Sequence, residues 1–107
     1  MSDRYTVAQQ FMLAIEAELK VMGLWSERRP SERALSSLQP FCVDTLAFEQ
    51  WLQFVFIERM LLLIEQRGML PSSFGLAPMS EQSFSPRGVD SHDLTRLLER
   101  LDEALSC

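Results

Sequence analysis

The chain has 107 residues, 47% hydrophobic and 23% charged, which suits one folded domain and excludes wholesale disorder. Ten basic against fifteen acidic residues leave a formal charge of −5, the wrong sign for general binding to a phosphate backbone. One histidine and two distant cysteines, Cys42 and Cys107, remove most metal, redox and disulfide constellations.

The first apolar run, Phe11 to Ile15, is too short for a secretory signal and meets Glu16 and Glu18 at once. No stretch approaches the ~20 apolar residues of a membrane span. A cytoplasmic location without membrane attachment is the expectation. A first helix is predicted from Asp3 to Met22, because Ala8, Phe11, Met12, Ile15, Leu19 and Met22 recur at helical spacing. Gly23 supplies its stop. Leu13, Ala17 and Val21 fall outside that stripe and offer a second side for contact. Beyond it, Pro30 and Pro40 break the chain, with a short helical turn from Ser31 to Leu35 that Ser31 caps. The basic cluster Arg28, Arg29 and Arg33 is offset by Glu27 and Glu32 and reads as solvated surface.

The central helix is predicted from Leu46 to Gln66, with Asp44 or Thr45 as its cap and Gly68 closing it. It is apolar around most of its circumference, which marks a buried core element. A long connector from Gly68 to Asp90 follows. Pro78 there suits the first turn of a short helix ending near Phe84. Phe74, Met79 and their apolar neighbours make this connector too greasy for water, so it packs across the bundle or against a partner. The last helix, Ser91 to Leu105, carries a narrow stripe of Leu94, Leu97, Leu98, Leu101 and Leu105, with Asp90 or Ser91 as cap. The fold class that results is all-α: a small bundle of about four helices around the apolar central one, with residues 1–107 as a single domain.

Little in the chain points to chemistry. His92 sits in the first turn of a helix with no nucleophile pattern beside it. No phosphate loop, dinucleotide fingerprint or zinc spacing occurs, so neither catalysis nor a cofactor nor a metal is expected. Glu58 and Glu65 share a helix face and read as a water-facing acidic edge. Arg59 is the most informative residue. On an ideal wheel it points into the sector of Phe48, Leu52, Val55, Leu62 and Leu63, where an unpaired guanidinium costs several kcal/mol. Either it ties the connector or a neighbouring helix to the centre, or it recognises an anion at the mouth of a pocket.

The run Leu38-Gln39-Pro40-Phe41-Cys42-Val43-Asp44-Thr45, leading to Gln50-Trp51-Leu52-Gln53-Phe54-Val55-Phe56-Ile57 and Arg59-Met60, resembles the YqcC-like family of small bacterial proteins. Leu70-Pro71 and Leu76-Ala77-Pro78 fall where that family has similar turns. The resemblance implies a cytoplasmic all-helical domain without an assigned activity, and a gene neighbourhood shared with a tRNA pseudouridine synthase. Family members can carry proline where this chain has Glu58, which implies a central helix bent near Ile57. Proline in place of Phe48 implies a helix start at about Ala47.

Three functional readings follow. The leading one is a non-catalytic interaction or adaptor protein whose partner is a protein, an RNA-modifying enzyme such as a pseudouridine synthase being the one the resemblance implies, without direct nucleic-acid binding. The second is a small-ligand or anion-binding helical module. The third is self-association as a homodimer. The candidate partner or ligand surface comprises Arg59, Trp51, Phe41, Asp44, Phe74 and Met79.

Overall fold

The computed structural model describes residues 3–71 and 75–105. Six helical segments follow one another: α1 (Arg4–Val21), α2 (Glu32–Leu35), α3 (Phe48–Trp51), α4 (Glu58–Gln66), α5 (Leu76–Phe84) and α6 (His92–Ala104). A π-helical segment, Leu52–Ile57, joins α3 to α4 without a break, so the three form one continuous rod. With α2 a single turn, four principal helices remain, and the all-α bundle is the observed fold. Helix α6 packs against both α1 and α5, and α1 packs against α4. Among the described residues no helix is long and apolar enough to cross a membrane.

The end helices follow their stripes. Asp3 caps α1, its carboxylate accepting from the Thr6 amide at 2.7 Å. Ala8, Met12, Ile15 and Leu19 are buried, while Leu13 and Val21 stand in solvent. On α6, Leu94, Leu98, Leu101 and Leu105 are buried and Leu97 packs at their edge. Each such leucine contributes roughly 1.5–3 kcal/mol by leaving water. Ser91, one of the two expected residues, is the N-cap of α6 but makes no capping side-chain bond; the Asp90 carboxylate before it accepts from the His92 amide at 3.1 Å. Arg4 donates to the carbonyl of Leu105 at 2.8 Å, tying the start of α1 to the end of α6.

The rod departs from its expected form in three ways. It starts at Phe48 with Ala47 as N-cap, its amide bonded to Gln50 Oε1 at 2.9 Å. Asp44 and Thr45 do not cap it. They stitch the preceding loop instead: Asp44 accepts from the Ser37 hydroxyl, and Thr45 donates to the carbonyl of Ala34 at 2.7 Å. At the far end Arg67, not Gly68, takes the left-handed backbone conformation, φ 55°. The Tyr5 hydroxyl donates to the carbonyls of Arg67 and Gly68, and the Arg67 guanidinium lies 4.9 Å from the Tyr5 ring centroid. A Cβ at Gly68 would lie 2.9 Å from Leu63 Cδ2, the far end of a side chain that can shift to make room. Finally, the rod is not covered on every flank. Beyond Ile57 only Met60 is fully buried, and Leu61 and Leu62 are 41% and 52% exposed.

Polar groups inside the bundle are matched pairwise. The Gln53 side-chain amide bonds both the amide and the carbonyl of Ser26, at 2.8 and 2.7 Å, stapling the segment after α1 to the rod. Ser80 and Thr95 join α5 to α6 through their hydroxyls at 2.9 Å. Helix α5 has Gly75 as N-cap and no capping side chain of its own. Asp102 of α6 reaches across instead and accepts from the amides of Leu76 and Ala77 at 3.5 and 3.3 Å. No buried side-chain nitrogen or oxygen among the described residues lacks a partner.

Candidate functional site

The site grows from one irregular turn and one irregular helix. Pro40–Cys42 form a single 3-10 turn in which Phe41 and Cys42 both take positive φ, 57° and 49°. For residues with a Cβ this conformation costs about 1–2 kcal/mol each. The turn carries the Phe41 ring edge-on against Trp51, 4.8 Å between centroids. Trp51 stacks in turn with Phe48 at 6.1 Å and with Phe56 at 5.6 Å. Phe48 meets Phe84 of α5 edge-on at 6.0 Å. An aromatic chain thus runs from the loop through the rod to α5, and burial of such rings dominates the energetics of a small core. Cys42 is buried beneath the turn as a free thiol, as its apolar setting suggests; Cys107 lies outside the described residues.

Phe41 stands between two clefts. The first, of about 240 Å³, is walled by Phe41, Trp51, Val55, Met60 and Pro71, with Arg59 on its rim. The second, of about 250 Å³, is lined by Val43, Leu46, Met79 and Ser83, with Arg87 on its rim. Of the surface read from the sequence, the structure therefore gathers Phe41, Trp51 and Arg59 at one cleft and adds Met79 at the adjoining one. Asp44 lines neither and holds the loop in place. Phe74 lies outside the described residues.

Arg59 is exposed and does not enter the core. The reason is the π-helical segment. It acts as one inserted residue, turning everything after it back by about 100°. That rotation carries Arg59 and Leu62 out of the buried sector and brings Met60 into it. Among the described residues no carboxylate pairs with Arg59. The structural-tie reading of this residue is thereby withdrawn. Its neighbour Glu58, read as a bare acidic edge, pairs with Arg29 at 2.6 Å.

Sequence reasoning missed the site's principal ion pair. Glu49 is buried at the start of the rod, and both its oxygens accept from Arg87, at 2.8 and 2.7 Å. Burial pushes the Glu49 carboxyl up, but the Arg87 hydrogen bonds and charge, with a backbone hydrogen bond, outweigh it and hold the group below the usual range. The same bonds raise the Arg87 guanidinium against the opposing effect of its desolvation. The two residues lie 38 positions apart. No spacing rule links them, and the available signal was a carboxylate next to Phe48 and two residues before Trp51.

These features define a small helical domain with an exposed, aromatic-walled groove and a cation left unpaired on its rim. The chain belongs to the DUF446 family, whose description reads tRNA pseudouridine synthase C, with a match over residues 7–104. It is 34% identical to the uncharacterised protein YqcC of Escherichia coli over 89 residues, 83% of this chain and 82% of that protein. It is 31% identical to an uncharacterised protein of Haemophilus influenzae over 93 residues, 87% of this chain and 84% of its relative. A third relative, the tRNA pseudouridine synthase C of Pectobacterium carotovorum, is 37% identical over 71 residues; these make up 66% of this chain but only 19% of that protein. The solution NMR structure of E. coli YqcC shares the fold, with a TM-score of 0.83 at 29% identity, covering 95% of this chain and 87% of that one.

Proposed function

We propose that this chain is a non-catalytic partner domain of a tRNA pseudouridine synthase. The observation that carries the reading is the Pectobacterium relative. There a segment like this one occupies 19% of a protein named as the synthase, leaving four-fifths of that protein outside the match. A domain covalently tethered to an enzyme works beside it at an effective concentration in the millimolar range. Where such a domain stands on a chain separate from the enzyme, it needs a binding surface of its own to do the same work. The groove astride Phe41 and the exposed Leu61 and Leu62 supply apolar surface for that purpose. The charge of −5 argues that the contact is with protein and not with tRNA.

The test mixes the purified chain with the tRNA pseudouridine synthase of the same organism and follows the mixture by size-exclusion chromatography with light scattering. A stable complex is expected, together with no retained tRNA in a shift assay at moderate salt. Absence of a complex at tens of micromolar of each protein refutes the reading. The ligand-module alternative draws less support, since each cleft falls short of the ~300 Å³ at which small-molecule pockets begin.

A further inference from the structure

Two backbone irregularities of this molecule meet at one place. The positive-φ residue Phe41 and the π-helical segment Leu52–Ile57 both border the groove formed by the two adjoining clefts, and Arg59 follows that segment onto the same groove. Strained backbone and π-helical turns gather where side chains must be aimed at something other than their own core. Here they have a definite result. The turn raises the Phe41 ring as a ridge between the two clefts, and the inserted residue swings Arg59 from the core to the rim.

The charge of the groove is the second argument. The protein carries five more acidic than basic residues, yet among the described residues no carboxylate lines either cleft. The two charged side chains at the rims are both arginines. Arg87 is satisfied by Glu49, which among the described residues leaves Arg59 as the rim cation without an acidic partner. The groove of about 580 Å³ between α1 and α6, by contrast, mixes Glu18 and Asp93 with Arg96 and Arg100, and in the cleft of Arg4, Tyr5 and Leu70 the rim cation Arg67 already faces Asp3.

We infer that the groove astride Phe41 is the docking surface for the synthase, seating an apolar segment of that protein whose acidic side chain pairs with Arg59. The inference rests on the synthase being the partner and adds where it binds and by what chemistry. Apolar side chains fill the clefts on either side of the Phe41 ridge, and the partner's carboxylate meets the guanidinium at the rim. A charge-assisted contact there is stronger than the same contact in open water, because the apolar walls exclude solvent from one side. The groove fits a protein segment better than RNA. Trp51, the aromatic group best suited to hold a base, already stacks with Phe48 and Phe56.

The experiment measures affinity for the purified synthase by titration calorimetry, using the full chain and three variants. Arg59→Glu reverses the rim charge, and Val43→Asp places a carboxylate in the second cleft, where Val43 is 57% exposed. Val21→Asp, 81% exposed on the α1–α6 groove, is the control. All three positions face water, so the variants fold, and thermal midpoints within a few degrees of the parent verify it. The expected result is a loss of about tenfold or more in affinity for Arg59→Glu and for Val43→Asp, with less than about twofold for Val21→Asp. Raising the salt from 50 to 500 mM shrinks the Arg59→Glu effect and leaves that of Val43→Asp in place. If the parent binds and Val21→Asp is the variant that weakens it, the partner stands and the groove is refuted. If the parent does not bind the synthase at all, the underlying reading itself fails. If Arg59→Glu weakens binding of a tRNA transcript and not of the protein, the groove serves RNA and the inference is overturned.

Discussion

Replacing Arg87 by methionine tests how the start of the rod is held to the turn that precedes α6. Glu49 keeps 10% of its side chain exposed and Arg87 keeps 41%, so the pair is dry on one side and wet on the other. Removing one member of a fully buried pair costs about 3–5 kcal/mol, whereas an exposed pair contributes about 0–1 kcal/mol. The half-exposed arginine places Arg87→Met between these limits, at about 2 kcal/mol at pH 7. The pH dependence is the diagnostic part. In the parent, the Glu49 carboxyl titrates below the usual glutamate value of 4.5, so the pair's stabilisation is complete above that value and is lost as pH falls through the lowered one. In the variant burial dominates and pushes the carboxyl above 4.5, so the variant recovers stability on acidification while the parent loses it. Urea denaturation at pH 7, 5, 4 and 3.5 therefore shows a gap that closes toward the acid end. A gap below about 0.5 kcal/mol at pH 7, or one of equal size at pH 7 and 3.5, refutes the reasoning. The double variant Glu49→Leu/Arg87→Met recovers most of the loss, since no charge is left stranded.

Two other substitutions test the remaining contacts. Asp102→Ala removes the cap that α6 lends to α5 and is expected to cost about 1 kcal/mol, with faster amide exchange at Leu76 and Ala77; unchanged exchange at both amides contradicts it. Arg59→Met changes stability by less than about 0.5 kcal/mol, because the guanidinium is exposed; a loss well above 1 kcal/mol in a thermal or urea melt returns Arg59 to a structural role.

The end helices were legible because each carries a single apolar stripe against a polar remainder. On α6, Arg96, Glu99, Arg100 and Glu103 can face only water, so the leucines have one place to go. The Ser31 cap over Ala34 was equally readable because donor and acceptor are neighbours, whereas the cap expected from Asp44 or Thr45 gave way to Ala47. Contacts that join distant segments left no such trace. Gln53 meets Ser26 and Asp102 meets Ala77 only after the helices have packed. The same holds for the groove: its aromatic residues could be named in advance, but their grouping around Phe41 depends on a left-handed turn at a residue type that seldom adopts one.

The register of the rod shows why a strongly apolar helix is the hardest to read. Phe48, Leu52, Phe56, Met60 and Ile64 face the core at every fourth residue. At about 100° per residue each such step drifts by about 40°, so the series cannot stay on one face of a regular helix over its length. The π-helical segment resets it, and every-fourth spacing is the sequence signal of that reset. The signal was masked because the competing positions, Val55, Leu61 and Leu62, are equally apolar, so a regular wheel also found a plausible core. Arg59 held the signal that could have broken the tie. A cation placed among hydrophobic residues by an ideal wheel, with no acid on the same helix near enough to neutralise it, argues against the wheel before it argues for a buried ion. Read together, the misplaced arginine and the every-fourth spacing locate the irregular turn, and that turn is what delivers Arg59 to the rim of the groove.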